Sequence, residues 1–244
     1  MKTAIKTFII LFTLVTAIGL LFLYNRKQEK INNNFDVFFS QWKVYGIDVS
    51  EYNGNIDWDR VSTIFGEHKI HFAFIRSTAG KDKVDKQFKE NWNALKDSNI
   101  HLGAYHYYRP DENSLEQAKN FIDNVILKKG DLPPVLDIER QSNVQSMEQL
   151  KIGLQKWLDT VEMHYGVKPI LYSGSNYFTT FLKKEFTEYP LWIANYNKTK
   201  KPVNHDWTFW QYSDKGKVDG IRRKVDVNVF DGSDQELRDY LIKY

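Results

Sequence analysis

Residues 101–139, HLGAYHYYRPDENSLEQAKNFIDNVILKKGDLPPVLDIE, hold two apolar runs separated by a stretch of helical period. The runs HLGAYHYY (101–108) and PPVLDIE (133–139) are short, rich in aromatic and branched residues, and bounded by turn formers, as strands are. Between them SLEQAKNFIDNVILKK (114–129) repeats apolar residues three or four apart, with Ser114 in position for an N-cap. Strand, helix and strand on short connections form a β/α/β unit, whose right-handed crossover sets its two strands parallel.

The same alternation extends in both directions. Further strands are predicted at 44–50, 71–77, 168–173, 190–196, 207–213 and 224–230, and further helices at 57–65, 85–98, 146–165 and 175–184, with Ser146 as an N-cap. After the sixth strand the connections turn into loops rich in Lys, Asn, Asp and Gly. Five β/α units followed by three strands predict an α/β fold, a TIM-barrel-like closed sheet, with an open doubly wound sheet as the alternative. No GxGxxG follows the first strand and no GxxxxGK[ST] occurs, so nucleotide binding has no support.

The 244 residues carry 34 Lys+Arg against 31 Asp+Glu, a formal charge of +3, which lacks the basic excess of a nucleic-acid binder. With 42% hydrophobic residues and 15% aromatics the chain is not disordered, and it is long enough to bury a core without staples. Cysteine is absent, which removes disulfides, thiolate metal sites and a thiol nucleophile. Near the N-terminus, residues 7–25 (TFIILFTLVTAIGLLFLYN) are uncharged and as a helix would extend roughly 28 Å, close to the hydrocarbon thickness of a bilayer. Residues 1–24 are therefore expected to be a signal anchor or signal peptide, a membrane-spanning helix if retained. Residues 25–42 are expected to form a polar linker and 43–244 the catalytic domain. Flanking Lys and Arg residues on both sides do not choose the orientation.

In a β/α barrel the C-terminal strand ends form the active face, and here they carry acids and aromatics. Asp48 ends the first strand, Tyr105 and Tyr107 the third, Asp137 and Glu139 the fourth and Tyr172 the fifth. Trp192 and Tyr196 belong to the sixth strand, Gln211 to the seventh, and Asp226 with Asn228 to the eighth. Residues i and i+2 of a strand share a face with Cα atoms about 6.5–7 Å apart, so Asp137 and Glu139 put two carboxylates on one side of the mouth. Desolvation and like-charge repulsion there raise a carboxyl pKa, as a general acid near neutrality requires. The first and last strands become neighbours on closure, bringing Asp48 and Asp226 to the same mouth. Tyr105 and Tyr107, and Trp192 and Tyr196, share parity and suit the apolar faces of sugar rings. His106 falls on the opposite face from the two tyrosines, and the six histidines include no HExxH pair, so no metal is expected.

With those residues in view, the chain resembles the family 25 glycoside hydrolases, the Chalaropsis-type lysozymes, from about Tyr45 to Gly232. The likeness rests on YGIDVSEYNG, FAFIRSTAG, GAYHYY, PPVLDIE, PILYSG, LWIANY, WTFWQYS and VDGIRRKVDVNVFDG in that order. It implies a flattened (β/α)5(β)3 barrel, cleavage of the β-1,4 bond between N-acetylmuramic acid and N-acetylglucosamine in peptidoglycan, and no cofactor. Position by position it implies Glu139 as general acid, Asp137 as its partner, either nucleophile or acetamido-orienting, and Asp48 and Asp226 as outer acids. The N-terminal apolar segment and the lack of a recognisable wall-binding repeat depart from the family's usual layout. A wall substrate would place the domain outside the membrane. The competing expectations are a glycosidase acting on another N-acetylated glycan such as chitin, and a non-catalytic, membrane-tethered glycan-binding module.

Overall fold

The computed structural model describes residues 16–27, 42–196 and 206–244. The chain divides into two units, Met1–Gln41 and Trp42–Tyr244. In the first, residues 16–27 are helical; the rest of the expected anchor, 1–15, and most of the expected linker, 28–41, lie outside the described residues. Among the described residues no helix is long and apolar enough to cross a membrane.

The second unit is a mixed α/β fold around a closed, barrel-like sheet. Its strands are β1 (Tyr45–Val49), β2 (Thr63–Ile64), β3 (His68–Ala79), β4 (Lys83–Val84), β5 (His101–Tyr107) and β6 (Val135–Asp137), followed by β7 (Ile170–Gly174), β8 (Leu191–Ala194), β9 (Phe209–Gly216) and β10 (Val225–Phe230). Eight of them run in the order β1-β10-β9-β8-β7-β6-β5-β3, and parallel pairing of β3 with β1 closes the ring. The two-residue β2 and β4 only extend β3 by antiparallel pairing. All barrel pairs are parallel except those of β10, which is antiparallel to both β1 and β9. Five crossover units followed by three strands thus make the barrel anticipated from the alternation.

Crossovers carry α1 (Phe88–Leu95), α2 (Ser114–Asn124), α3 (Met147–Tyr165) and a single turn α4 (Ser175–Tyr177) that widens into a π-turn at Phe178–Leu182; α5 (Asp234–Tyr240) follows β10. A capping box between Ser146 and Gln149 starts α3, and Gly166 in the left-handed conformation ends it. Two expectations need correction. The N-cap of α2 is Asn113, whose side chain accepts from the Leu115 and Glu116 amides, and Ser114 is the first helical residue. The helix expected over 57–65 is replaced by a 3-10 turn, Trp58–Arg60, and by β2. Branched Thr63 and Ile64 pair with Lys69 and His68 across a turn in which Phe65 and Gly66 both take positive φ. The pairing seats Ile64 in the core, where strand geometry wins over the helical spacing of Val61, Ile64 and Phe65.

Alternation along the strands separates two faces. The outward face, including Ile47, Ile75, Leu136, Leu171 and Ile193, is fully buried beneath the surrounding structure. Inside, Phe72 and Phe74 of β3 meet Phe209 of β9 at ring-centroid distances of 5.2 and 5.1 Å, and Phe74 stacks on Trp192 at 4.4 Å. Two glycines admit these rings. A Cβ on Gly46 would lie 2.3 Å from the Phe72 ring, and one on Gly103 would lie 2.4 Å from the Phe74 ring. The barrel is therefore a filled core at its base, and only its upper layer is free to carry polar side chains.

Phe74 lies at the centre of this layer with no exposed surface. Phe74→Ala is expected to lower unfolding free energy by about 3–5 kcal/mol, because the rings around it cannot close the cavity left behind. Urea denaturation followed by tryptophan fluorescence measures it; a loss under about 1 kcal/mol would contradict a rigidly filled interior.

Candidate active site

Above the aromatic layer the same inward parity delivers polar side chains. On β3, Phe72 and Phe74 are followed at the next inward position by Arg76; on β6, Val135 is followed by Asp137; on β9, Phe209 by Gln211. They converge on a cavity of about 410 Å³, which is lined by ten of the eleven strand-end residues singled out from the sequence; the eleventh, Asn228, is fully buried and does not line it. Asp226 arrives by an unexpected route. It is the second residue of β10, not near its end, and reaches the mouth because β10 runs antiparallel, which puts Asp226 opposite Asp48.

Asp48 is the most connected of the acids. Its Oδ2 accepts from Gln211 Nε2 at 2.9 Å and from Asn228 Nδ2 at 2.7 Å. Gln211 Oε1 in turn accepts from the hydroxyls of Tyr172 and Tyr196, each at 2.8 Å, and Asn228 Oδ1 accepts from Trp192 Nε1 at 2.7 Å. Both amides are thus oriented by partners on each side. Burial raises the pKa of Asp48 and Asp226, and repulsion between the two adds to the rise at Asp226, so the pair retains a proton above the usual carboxylate range.

Asp137 is buried, and its Oδ1 has no hydrogen-bond partner. Burial holds its pKa well above the usual value, with Glu139 and Asp48 adding repulsion and Arg76 opposing them. Glu139 lies two residues beyond Asp137, past the end of β6, and is exposed at the mouth. Partial desolvation raises its pKa as well. Strand and exit therefore place one acid in the floor and one at the rim.

The aromatic residues divide in the same way. Trp192, 1% exposed, is wedged between Phe74 and Tyr172 and forms the floor, so it offers no free face for stacking. Tyr105 and Tyr107 are half-buried in the wall, whereas Tyr196 is 52% exposed at the rim. Outside the barrel interior His106 bonds Thr78 at 2.7 Å and Gln117 at 3.2 Å and stacks on Trp157. Burial pushes it down to about 3, so it is a neutral structural residue.

Six cavity residues were not anticipated: Ser50, Tyr52, Arg76, Ala79, Lys83 and Arg109. Arg76 is held by Asp85 at 2.8 Å and Glu51 at 3.2 Å, with the Tyr52 ring 4.7 Å from its guanidinium carbon. Lys83 also pairs with Glu51, and Arg109 with Glu112 at 3.1 Å. Arg76 was readable in FAFIRS as the residue two places after Phe74, on the inward face; Lys83 comes from the two-residue β4 and Arg109 from the connection after β5, both too short to carry a periodic signal. Among the described residues no group of three or more His, Cys, Asp or Glu side chains is placed to hold a metal ion.

A closed β/α barrel with converging acids and tyrosines over its strand ends has the architecture of a carbohydrate-cleaving enzyme. Residues 47–221 match the sequence profile of glycosyl hydrolases family 25, and the chain belongs to that family. It is a glycoside hydrolase. The protein YegX of Escherichia coli O6:H1 is 40% identical over 205 residues, 83% of this chain and 75% of YegX. Lysozyme M1 of Streptomyces globisporus is 31% identical over 80% of this chain and 70% of its own length. Among solved structures, a family 25 glycosyl hydrolase from Bacillus anthracis superposes with a TM-score of 0.75 at 32% identity, covering 83% of this chain and 95% of that one.

The raised pKa values of Asp48 and Asp226 mean that the folded chain holds protons more tightly than the unfolded chain does. Their stabilising contribution is complete below the unfolded value, about 4, and is lost as pH rises through the folded values. Thermal melts should accordingly show Asp226→Asn gaining melting temperature over the wild type at pH 8 and little at pH 4. An equal effect at both pH values would contradict the shared proton.

Proposed function

We propose that the chain is a muramidase that hydrolyses the β-1,4 bond between N-acetylmuramic acid and N-acetylglucosamine in peptidoglycan. The observation that carries this reading is the pairing of a buried, partly unpartnered carboxylate, Asp137, with an exposed, raised-pKa carboxyl, Glu139, at the mouth of one cavity. The names of relatives such as Lysozyme M1 support the choice of glycan.

Glu139 is the general acid: its proton goes to the glycosidic oxygen as the bond to the anomeric carbon breaks. Asp137 faces the oxocarbenium-like centre, either attacking it directly or holding the substrate's acetamido group so that its carbonyl oxygen attacks. Water then enters with Glu139 as base and restores both groups. Asp137 has to give up the proton that burial favours before it works in this step as an anion, and Arg76 is the neighbouring cation that eases that loss. Asp48 and Asp226, through their shared proton and the Gln211 and Asn228 amides, bind sugar hydroxyls or the acetamido group. Tyr105, Tyr107, Tyr172, Tyr196 and Gln211 form the binding wall, with Trp192 supporting it from below.

For the N-terminal segment we favour a single-pass anchor with the catalytic domain outside the cytoplasmic membrane, or a secreted domain if the segment is cleaved. The apolar run at 7–25 supports this, and the substrate sets the orientation. Cell fractionation checks it: the full chain should sediment with membranes, and deletion of residues 1–24 should release it.

Incubation of the full chain with purified peptidoglycan should yield fragments with reducing N-acetylmuramic acid ends by mass spectrometry. Glu139→Gln is expected to lower turnover at least a thousandfold with an unchanged circular dichroism spectrum, in the upper part of the range for general acids. Asp48→Asn should cost less. Near-normal turnover in folded Glu139→Gln would sink the assignment, and cleavage of chitin oligomers in preference to peptidoglycan would redirect the substrate.

A further inference from the structure

A second hollow, of about 740 Å³, lies between the segment 53–60 and the turn 218–223. Its shape is set by backbone contacts. The Asp57 amide donates to the Gly220 carbonyl at 3.0 Å, and the Phe65 amide to the Lys217 carbonyl at 2.9 Å. Gly220 has φ of +88°, and a Cβ there would meet the Asp57 carbonyl oxygen at 2.2 Å, so the approach of the two segments requires glycine.

The charges in this hollow are unevenly matched. Arg60 pairs with Asp219 at 2.5 Å and also feels Asp57, which accounts for both acids of the wall. Arg223 donates from Nη1 to the Tyr52 carbonyl at 2.9 Å. Arg222 is exposed and makes no hydrogen bond or ion pair among the described residues. Two guanidinium groups in one preformed hollow are therefore without a carboxylate, and Lys224 adds a third cation alongside.

The hollow adjoins the catalytic cavity through consecutive residues, Asn53 lining the hollow and Tyr52 the cavity. Tyr52 lines that cavity, and its carbonyl is the group Arg223 holds. Asn53 Nδ2 donates to the Lys224 carbonyl at 3.2 Å, and Asp226 follows two residues later. We propose that this hollow binds the acidic peptide attached to the glycan, with Arg222 and Arg223 pairing its free carboxylates. The proposal rests on the muramidase reading, because N-acetylmuramic acid carries a lactyl group through which such a peptide is joined. A strand seated in the catalytic cavity carries that peptide past its edge, and guanidinium–carboxylate pairing in a preformed site suits its capture.

The test uses the full chain and two substrates, glycan strands bearing their peptides and the same strands stripped of peptide by an amidase, together with calorimetric titration of a soluble acidic stem peptide. Wild type should show higher kcat/KM on the peptide-bearing strands. Arg222→Glu should reduce that preference about five- to tenfold and abolish the heat of peptide binding, as should high salt. Equal kcat/KM on both substrates with no heat of binding overturns the proposal, as does an undiminished preference in the Arg222→Glu/Arg223→Glu double variant. Peptide binding without cleavage of either strand overturns the muramidase reading and supports the hollow's ligand. Absence of both cleavage and binding overturns both.

Discussion

The carboxylate of Asp48 ties the upper barrel together. Through Gln211 and Asn228 it links β1 to β9 and β10, and through the further partners of those amides to Tyr172 on β7 and Trp192 on β8. Each of the two amides is buried, with its oxygen already occupied by another partner. Removing the acid would leave the Gln211 and Asn228 amide donors in a low-dielectric interior without an acceptor, which costs more than the bonds contribute net. The upper barrel therefore has few alternative arrangements, and Tyr172 and Tyr196 are held by the same network.

This rigidity depends on what lies beneath. The aromatic layer of Phe72, Phe74, Phe209 and Trp192 fills the interior because Gly46 and Gly103 leave room for rings that any side chain would displace. A filled floor keeps the acids from sinking and water from rising past them, so desolvation acts on Asp48 and Asp137 from below while the mouth stays open to substrate. Trp192 serves both layers: one face lies on Phe74, and its indole N–H fixes Asn228.

Much of this was legible in the sequence because period-2 alternation carries it. The inward positions of eight short strands could be followed from apolar residues at one end to acids and tyrosines at the other, and the pairing of Asp137 with Glu139 required only that parity. What escaped notice had competing local signals. The spacing of Val61, Ile64 and Phe65 imitates a helix, and only the pairing of Thr63 and Ile64 with β3 reveals a hairpin. The antiparallel course of β10 has no local signature, so Asp226 was brought to the mouth by adjacency to Asp48 while the direction of its strand was misjudged. Arg76 was hidden by its apolar neighbours, although its parity with Phe72 and Phe74 points it inward.

Arg76 also explains how the acids keep their repulsion. A cation inside an acidic cavity could quench the field that raises the carboxyl pKa values, and here it does so only in part. Its guanidinium is held by Asp85 and Glu51, Lys83 is held by Glu51, and Arg109 by Glu112, so each cation of the wall meets acids of its own. Asp137 feels Arg76 as an opposing influence, yet burial and the neighbouring carboxylates prevail. Charge is thus balanced on the side of the wall cations, while the acids opposite feel Arg76 only in part. Protons are therefore held above the usual carboxylate range at both levels of the cavity, at buried Asp137 and at Glu139 on the rim, and the cations of the wall do not cancel the burial that holds them.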